Sequence, residues 1–185
     1  MTGYDLAKIG QYLASLGYVE GREGNLSERV GNGALIKATN VFMAFATPED
    51  FSYIDLEGNL IYGKPPSSEY RLHTTIYKNV KSVNYVVHTH PVYTLALSQH
   101  YSYIPIVLTE GKIYFSKEVP VLPLIEPGTQ ELADSVTSYI QKGYEAVVLK
   151  DHGLVSVGET LDVAVMRTIA VEKSAKIIIL SRNLI

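Results

Sequence analysis

A chain of 185 residues with 46% hydrophobic side chains has the length of a single domain, 1–185, and enough apolar material to bury a real core. Its charges are interspersed and sum to −3, which argues against nucleic acid or an anionic membrane as partner. It contains no cysteine, which excludes disulfides and thiol chemistry and leaves oxygen and nitrogen to hold any metal. In chain order, the pattern opens with a helix capped by Thr2 that carries Leu6, Ile9, Leu13 and Leu16 on one side and stops at Gly17. The glycine-rich stretch from Gly21 to Gly33 reads as a loop. Short strands are expected around Ala34–Ile36, Val41–Phe45 and Ser52–Leu56, with Glu57-Gly58-Asn59 turning into a strand at Leu60–Tyr62. A helix begins at Glu69 behind Ser67 or Ser68 as N-cap and carries Tyr70, Leu72, Ile76, Tyr77 and Val80. The buried strand Tyr85–Val87 leads into His88, a helix runs from about Val92 to Gln99, and strands lie near Ile104–Leu108 and Val119–Leu124. Thr129 caps a helix ending near Gly143, a strand pair surrounds His152, and Thr160 caps a last helix through Leu180. Strands grouped in the middle with helices at both ends predict an α/β sandwich, whose strand order the pattern leaves open. No N-terminal leader pattern or membrane-length apolar run is seen, so the cytoplasm is the expected compartment.

Three segments carry the chemistry. His88-Thr89-His90 stands at the end of an apolar strand, and residues two apart project from one strand face, so both imidazoles can converge on one ion. His152 follows the apolar run Ala146–Leu149, and Gly153 permits a sharp turn there. Glu69, in the first turn of its helix, sits where the dipole favours a carboxylate that faces outward to a metal. One carboxylate and three imidazoles are the donor set of a catalytic divalent ion. A lone histidine is usually a hydrogen-bonded core or surface residue, but two adjacent buried imidazoles are costly to desolvate without a shared partner. His73, four residues after Glu69 on the same helical face, is placed to support a ligand from behind, whereas His100 reads as an ordinary surface residue. Ser67 and Ser68 offer hydroxyls at a helix N-terminus, which suits a phosphate as well as it suits capping.

The ordered set Gly24-Asn25-Leu26-Ser27, Leu35-Ile36 before Thr39, Ser67-Ser68-Glu69, His73, His88-Thr89-His90, Pro127-Gly128-Thr129 and Asp151-His152-Gly153 resembles the class II aldolase/adducin family over nearly the whole chain. The resemblance implies a three-layer α/β sandwich with a mostly antiparallel central sheet flanked by helices. It implies Zn2+, or another divalent metal, held by Glu69, His88, His90 and His152, with Glu69 acting as catalytic base once substrate displaces it. A small-molecule sugar phosphate is the implied partner, its phosphate on Asn25, Thr39, Asn40, Ser67 and Ser68, with Ser27 nearby. The implied assembly is a homotetramer with active sites between subunits, and 14 tyrosines supply amphipathic surface for it. The implied reaction cleaves a ketose 1-phosphate, L-fuculose 1-phosphate or similar, to dihydroxyacetone phosphate and an aldehyde, the cation neutralising a developing enediolate. Pentulose-phosphate 4-epimerases and a methylthioribulose-phosphate dehydratase in the family use much the same site. The adducin head is a non-catalytic scaffold, which has no need of the histidine triad kept here.

Four departures from the family pattern stand out. Asn40 replaces a usual glycine, though asparagine accepts left-handed backbone. Gly21-Arg22-Glu23-Gly24-Asn25 replaces Gly-Thr-x-Gly-Asn and puts an acid near the expected phosphate, with Arg22 and Lys37 to offset it. The family's tyrosine proton donor falls on Thr109, a far poorer acid, leaving Tyr101, Tyr103 or Tyr114 as substitutes. The sequence ends at Ile185, without the C-terminal tail that helps close the site in the family's aldolases.

Overall fold

The structure, a computed structural model, describes residues 3–182, so the expected cap Thr2 lies outside the described residues. The first helix, α1 (Gly3–Ser15), buries Leu6 and Leu13 completely. It ends where Gly17 turns left-handed at φ 73° and the Tyr18 N–H reaches back to the Leu13 carbonyl at 3.0 Å, a glycine-dependent stop.

Nine strands follow: β1 (Asn25–Val30), β2 (Gly33–Lys37), β3 (Phe51–Asp55), β4 (Leu60–Tyr62), β5 (Tyr85–Thr89), β6 (Tyr103–Ile104), β7 (Val119–Leu122), β8 (Ala146–Leu149) and β9 (Gly153–Gly158). They form one sheet in the order β4-β3-β2-β1-β5-β9-β8-β7-β6. Among the described residues only β7 and β8 pair in parallel, so the sheet is mixed and mostly antiparallel. The helices are α1, α2 (Tyr70–Asn79), α3 (Val92–Ser98), the short α4 (Thr109–Lys112), α5 (Gln130–Gln141) and α6 (Leu161–Arg182). Thr129 and Thr160 cap α5 and α6 as expected, their hydroxyls accepting the N–H groups of Leu132 and Val163.

Strand alternation sorts the core. Val86, Val147, Val155 and Val157 point to one face and pack on Leu72 and Ile76 of α2 and Leu132 and Val136 of α5. Leu26, Tyr85 and Val87 point to the other and meet α1 and the start of α6, while Val148 and Leu154 meet Leu97 of α3 and Val171 and Ala175 of α6. Among the described residues no helix is long and apolar enough to cross a membrane.

Three sequence expectations are corrected. The stretch Gly21–Gly33 contains the central strand β1, whose apolar alternation is hidden because Asn25, Ser27 and Arg29 aim polar groups at α2. Val41–Phe45 is not a strand but a bend into a 3-10 turn at Met43–Phe45, where the Val41 carbonyl is taken by the Lys37 ammonium. The expected strand Ile104–Leu108 is cut to Tyr103–Ile104, since Pro105 has no N–H for the ladder and the Val107 N–H goes to Ser174.

Candidate metal centre and substrate pocket

Register brings the site together. Antiparallel pairing sets Asn25 of β1 opposite His88 of β5, and Thr89 opposite Leu154 of β9, so the start of β1, the end of β5 and the start of β9 share one end of the sheet. His152 lies in the turn entering β9, where Asp151 takes φ 58° and accepts a 2.7 Å hydrogen bond from the Gln99 amide. Gly153 is required beside it, because a Cβ there would stand 2.6 Å from the Thr89 carbonyl oxygen and 2.7 Å from His88 Cε1. The three imidazoles stack edge to face, with centroids 4.8 to 5.3 Å apart, and offer one nitrogen each within 4.8 Å of the others.

Glu69 does not sit in the first turn of α2, and neither Ser67 nor Ser68 occupies the N-cap: Glu69 does. A tight turn precedes it, in which the Ser67 carbonyl accepts the Tyr70 N–H at 3.1 Å and the Ser67 hydroxyl accepts the Glu69 N–H at 3.3 Å. Its carboxylate turns inward, Oε2 lying 3.2 Å from His88 Nε2 and Oε1 3.3 Å from His152 Nε2.

The donors fit a divalent cation. His88 Nδ1–H donates to the Leu154 carbonyl at 3.2 Å and His90 Nδ1–H to Glu23 Oε2 at 3.1 Å. A neutral imidazole protonated at Nδ1 keeps its lone pair on Nε2, and these two Nε2 atoms face one another at 3.1 Å. Lone pairs at that distance repel unless a cation or proton lies between them. The 3.3 Å contact of Glu69 Oε1 with His152 lacks hydrogen-bond alignment, and Oε1 is a buried acceptor without a donor.

The electrostatics agree. Burial pushes the Glu69 carboxyl up, but His88, His152 and the Asn25 amide outweigh it and hold the group well below the usual carboxylate range. Burial pulls His90 down to about 3 and His152 to about 4, leaving both neutral as ligands must be. His88 shifts up although burial opposes it, because Glu69 stabilises a proton at the place a metal would take.

A buried relay supports Glu69 from behind. Asn25 Nδ2 donates to Glu69 Oε2 at 2.9 Å, so Asn25 Oδ1 faces and accepts from His73 Nε2–H. His73, fully buried and pulled down to about 3 by burial, is neutral and accepts at Nδ1 from the Ser27 hydroxyl at 2.6 Å. Ser27 in turn accepts from Tyr77 Oη–H at 2.6 Å. Every donor points toward Glu69, a polarity in which each bond strengthens the next. His73 is thus the support its spacing suggested, while Ser27 and Tyr77 were missed as members. Their signal is the spacing: His73 and Tyr77 lie one helical turn apart, and Ser27 shares a strand face with Asn25.

A pocket of about 200 Å3 opens beside the histidines, and Asn25, Thr39, Asn40, Ser67, Ser68 and Glu69 all line it, with Arg22, Lys37, His90 and His152. The hydroxyl-bearing segments are held side by side by the Thr39 N–H on the Pro65 carbonyl at 3.0 Å and the Ser67 N–H on the Lys37 carbonyl at 2.9 Å. Asn40 adopts φ 61°, the left-handed geometry expected of the glycine it replaces. Lys37 is buried, donates to the Arg22 and Val41 carbonyls, and is pulled down to about 8 by that burial. Glu23 lines the pocket too, but its carboxylate is turned to His90. Among the described residues neither Thr109 nor any tyrosine lines this pocket. His100 is exposed, as expected. A larger groove of about 540 Å3 beside Tyr114 and Arg167 contains none of the histidines.

Comparison with known proteins places this geometry. The Class II Aldolase and Adducin N-terminal domain profile matches residues 4–179, and the chain belongs to that family. It is similar to an L-fuculose phosphate aldolase of Methanococcus maripaludis, 35% identical over 97% of both chains. It is also similar to a 5-methylthioribulose-1-phosphate/5-deoxyribulose-1-phosphate aldolase of Escherichia coli, 31% identical over 79% of this chain and 68% of that one. Among solved structures, L-fuculose-1-phosphate aldolase from Thermus thermophilus superposes with a TM-score of 0.87 at 32% identity, covering 96% of this chain and 92% of the other. The protein is an enzyme of the class II aldolase type, and His88, His90 and His152 form a group that could hold its metal.

Proposed function

We propose that the chain is a zinc-dependent sugar-phosphate aldolase, a single 1–185 domain of three-layer sandwich form, that cleaves a ketose 1-phosphate to dihydroxyacetone phosphate and an aldehyde. The observation that carries this reading is Glu69 Oε1, a buried oxygen with no donor on a carboxylate that spans the His88 and His152 imidazoles at the wall of a pocket lined with phosphate-type donors. His88, His90, His152 and Glu69 would hold the ion, which when bound supplies the positive charge that a developing enediolate requires.

The chain's own groups do the rest. Asn25, Thr39, Asn40, Ser67 and Ser68 receive the phosphate oxygens. The Ser67 hydroxyl accepts the Glu69 N–H and so keeps its own proton for donation, and Lys37 has an N–H beyond the two given to carbonyls. Glu69 Oε1 takes the C–H proton of dihydroxyacetone phosphate in the condensing direction and returns it to the same carbon in cleavage. The Asn25 amide at Oε2 keeps Oε1 aimed at the pocket while that proton moves.

The names of the relatives support phosphorylated ketoses as substrates, with L-fuculose 1-phosphate first and 5-methylthioribulose 1-phosphate as a second reading that changes only the aldehyde. Among the described residues no tyrosine lines the pocket, so the proton donor to the aldehyde oxygen would come from a neighbouring subunit, which favours a homotetramer with shared sites, read out by light scattering. The cytoplasm is the proposed compartment. The deciding experiment offers zinc-loaded protein a panel of ketose 1-phosphates and follows dihydroxyacetone phosphate release together with solvent deuterium exchange into that product. Release and exchange are expected. Metal-replete protein showing neither would hand the site to the epimerase or dehydratase chemistry.

A further inference from the structure

We propose that Glu23 is a positioning residue of the metal centre, holding the His90 imidazole in the tautomer and orientation that present Nε2 to the ion; this rests on the three-histidine reading above. His90 Nδ1–H donates to Glu23 Oε2 at 3.1 Å, a bond from the ring to a carboxylate that leaves Nε2 facing His88 Nε2. The carboxylate is itself fixed, since its Oε1 accepts the Glu20 N–H at 2.6 Å. The same segment grips the ligand's main chain, the His90 N–H donating to the Tyr18 carbonyl at 2.8 Å.

Gly24 makes this grip possible. Its φ is 65°, and a Cβ there would fall 2.4 Å from Val19 Cγ1 and 2.9 Å from the His88 carbonyl oxygen, so only glycine lets the loop lie flush on the end of β5. Each imidazole consequently has a different support. His88 leans on a carbonyl, His90 on a carboxylate, and His152 Nδ1 is buried with no partner. A carboxylate behind a ligating imidazole fixes the ring and its tautomer. Glu23 and Glu69 together also supply two negative charges against a dication.

The test compares zinc affinity of wild type and Glu23→Ala by competition with a chromophoric chelator, alongside the 15N signature of the His90 ring in the metal-free proteins. Glu23 is 35% exposed, so its truncation leaves the fold intact, checked by the melting point of the metal-free form. Affinity should fall roughly 10- to 100-fold, and His90 should lose its single Nδ1–H tautomer. Equal affinity in both proteins overturns the proposal alone. Weaker binding with an unchanged tautomer assigns the effect to net charge and overturns positioning. Wild type that takes up no zinc overturns the three-histidine reading and this proposal with it.

Discussion

Asn25 and Glu69, 44 residues apart in sequence, share a buried hydrogen bond of 2.9 Å in which the amide donates to the carboxylate. The opposite edge of the same amide is held by His73, so the group cannot rotate without orphaning a buried partner. The proposed phosphate anchor and the proposed base are thereby fixed as one piece, and motion of either is felt by the other.

Ser27→Ala tests that relay. Removing the hydroxyl leaves the buried Tyr77 O–H without its acceptor and His73 Nδ1 without its donor, and each such loss costs roughly 1–3 kcal/mol. Chemical denaturation should report that loss while zinc content stays near wild type. A wild-type denaturation midpoint would mean that the relay carries no energy.

Glu69→Gln tests the base. The three histidines keep most of the metal, yet deuterium exchange into dihydroxyacetone phosphate should drop at least about 100-fold, the lower end of what a general base contributes. Exchange at the wild-type rate in metal-replete variant protein would remove Glu69 from the chemistry.

The metal itself is tested by analysis of purified protein, expected to carry about one divalent ion per chain. His88→Ala, His90→Ala and His152→Ala should each lower that occupancy strongly. Chelation of the wild type should abolish turnover and zinc should restore it. Full occupancy in His152→Ala would redraw the site.

Lys37 gives the pH dependence. Burial pulls it down to about 8, although Glu69, Asp50 and Glu23 act in the other direction. Between that value and the ordinary lysine range the unfolded chain binds more protons than the folded one, so this group makes stability rise with pH across that window. Phosphate binding runs the opposite way, since the ammonium is charged only below about 8. The ratio kcat/KM should therefore fall as pH rises through about 8, and Lys37→Met should raise KM at neutral pH and erase that limb. An unchanged limb in the variant assigns it to another group.

Much of this is legible in the amino-acid sequence. Helix α1 announced itself through apolar spacing and α5 and α6 through threonine caps, and the His-x-His placed two imidazoles on one strand face. What stayed hidden shares one cause. Strand β1 buries Asn25 and Ser27 on its α2 side, so polar residues occupy positions where a pattern reader looks for apolar ones. Glu23 was invisible as a support for His90 because 67 residues separate the partners and only the left-handed Gly24 brings them together. The turn before Glu69 was missed because a serine followed by a helical pattern signals a cap, whereas here it signals one more turn of backbone.

Gly153 has a consequence for traffic. With backbone packed where its side chain would be and His88 completely buried, the floor beneath the imidazoles is closed at Gly153, while His90, His152 and Glu69 line the pocket. On the proposed reading the ion and the substrate would share that one opening, so the site would be loaded and emptied from the pocket side.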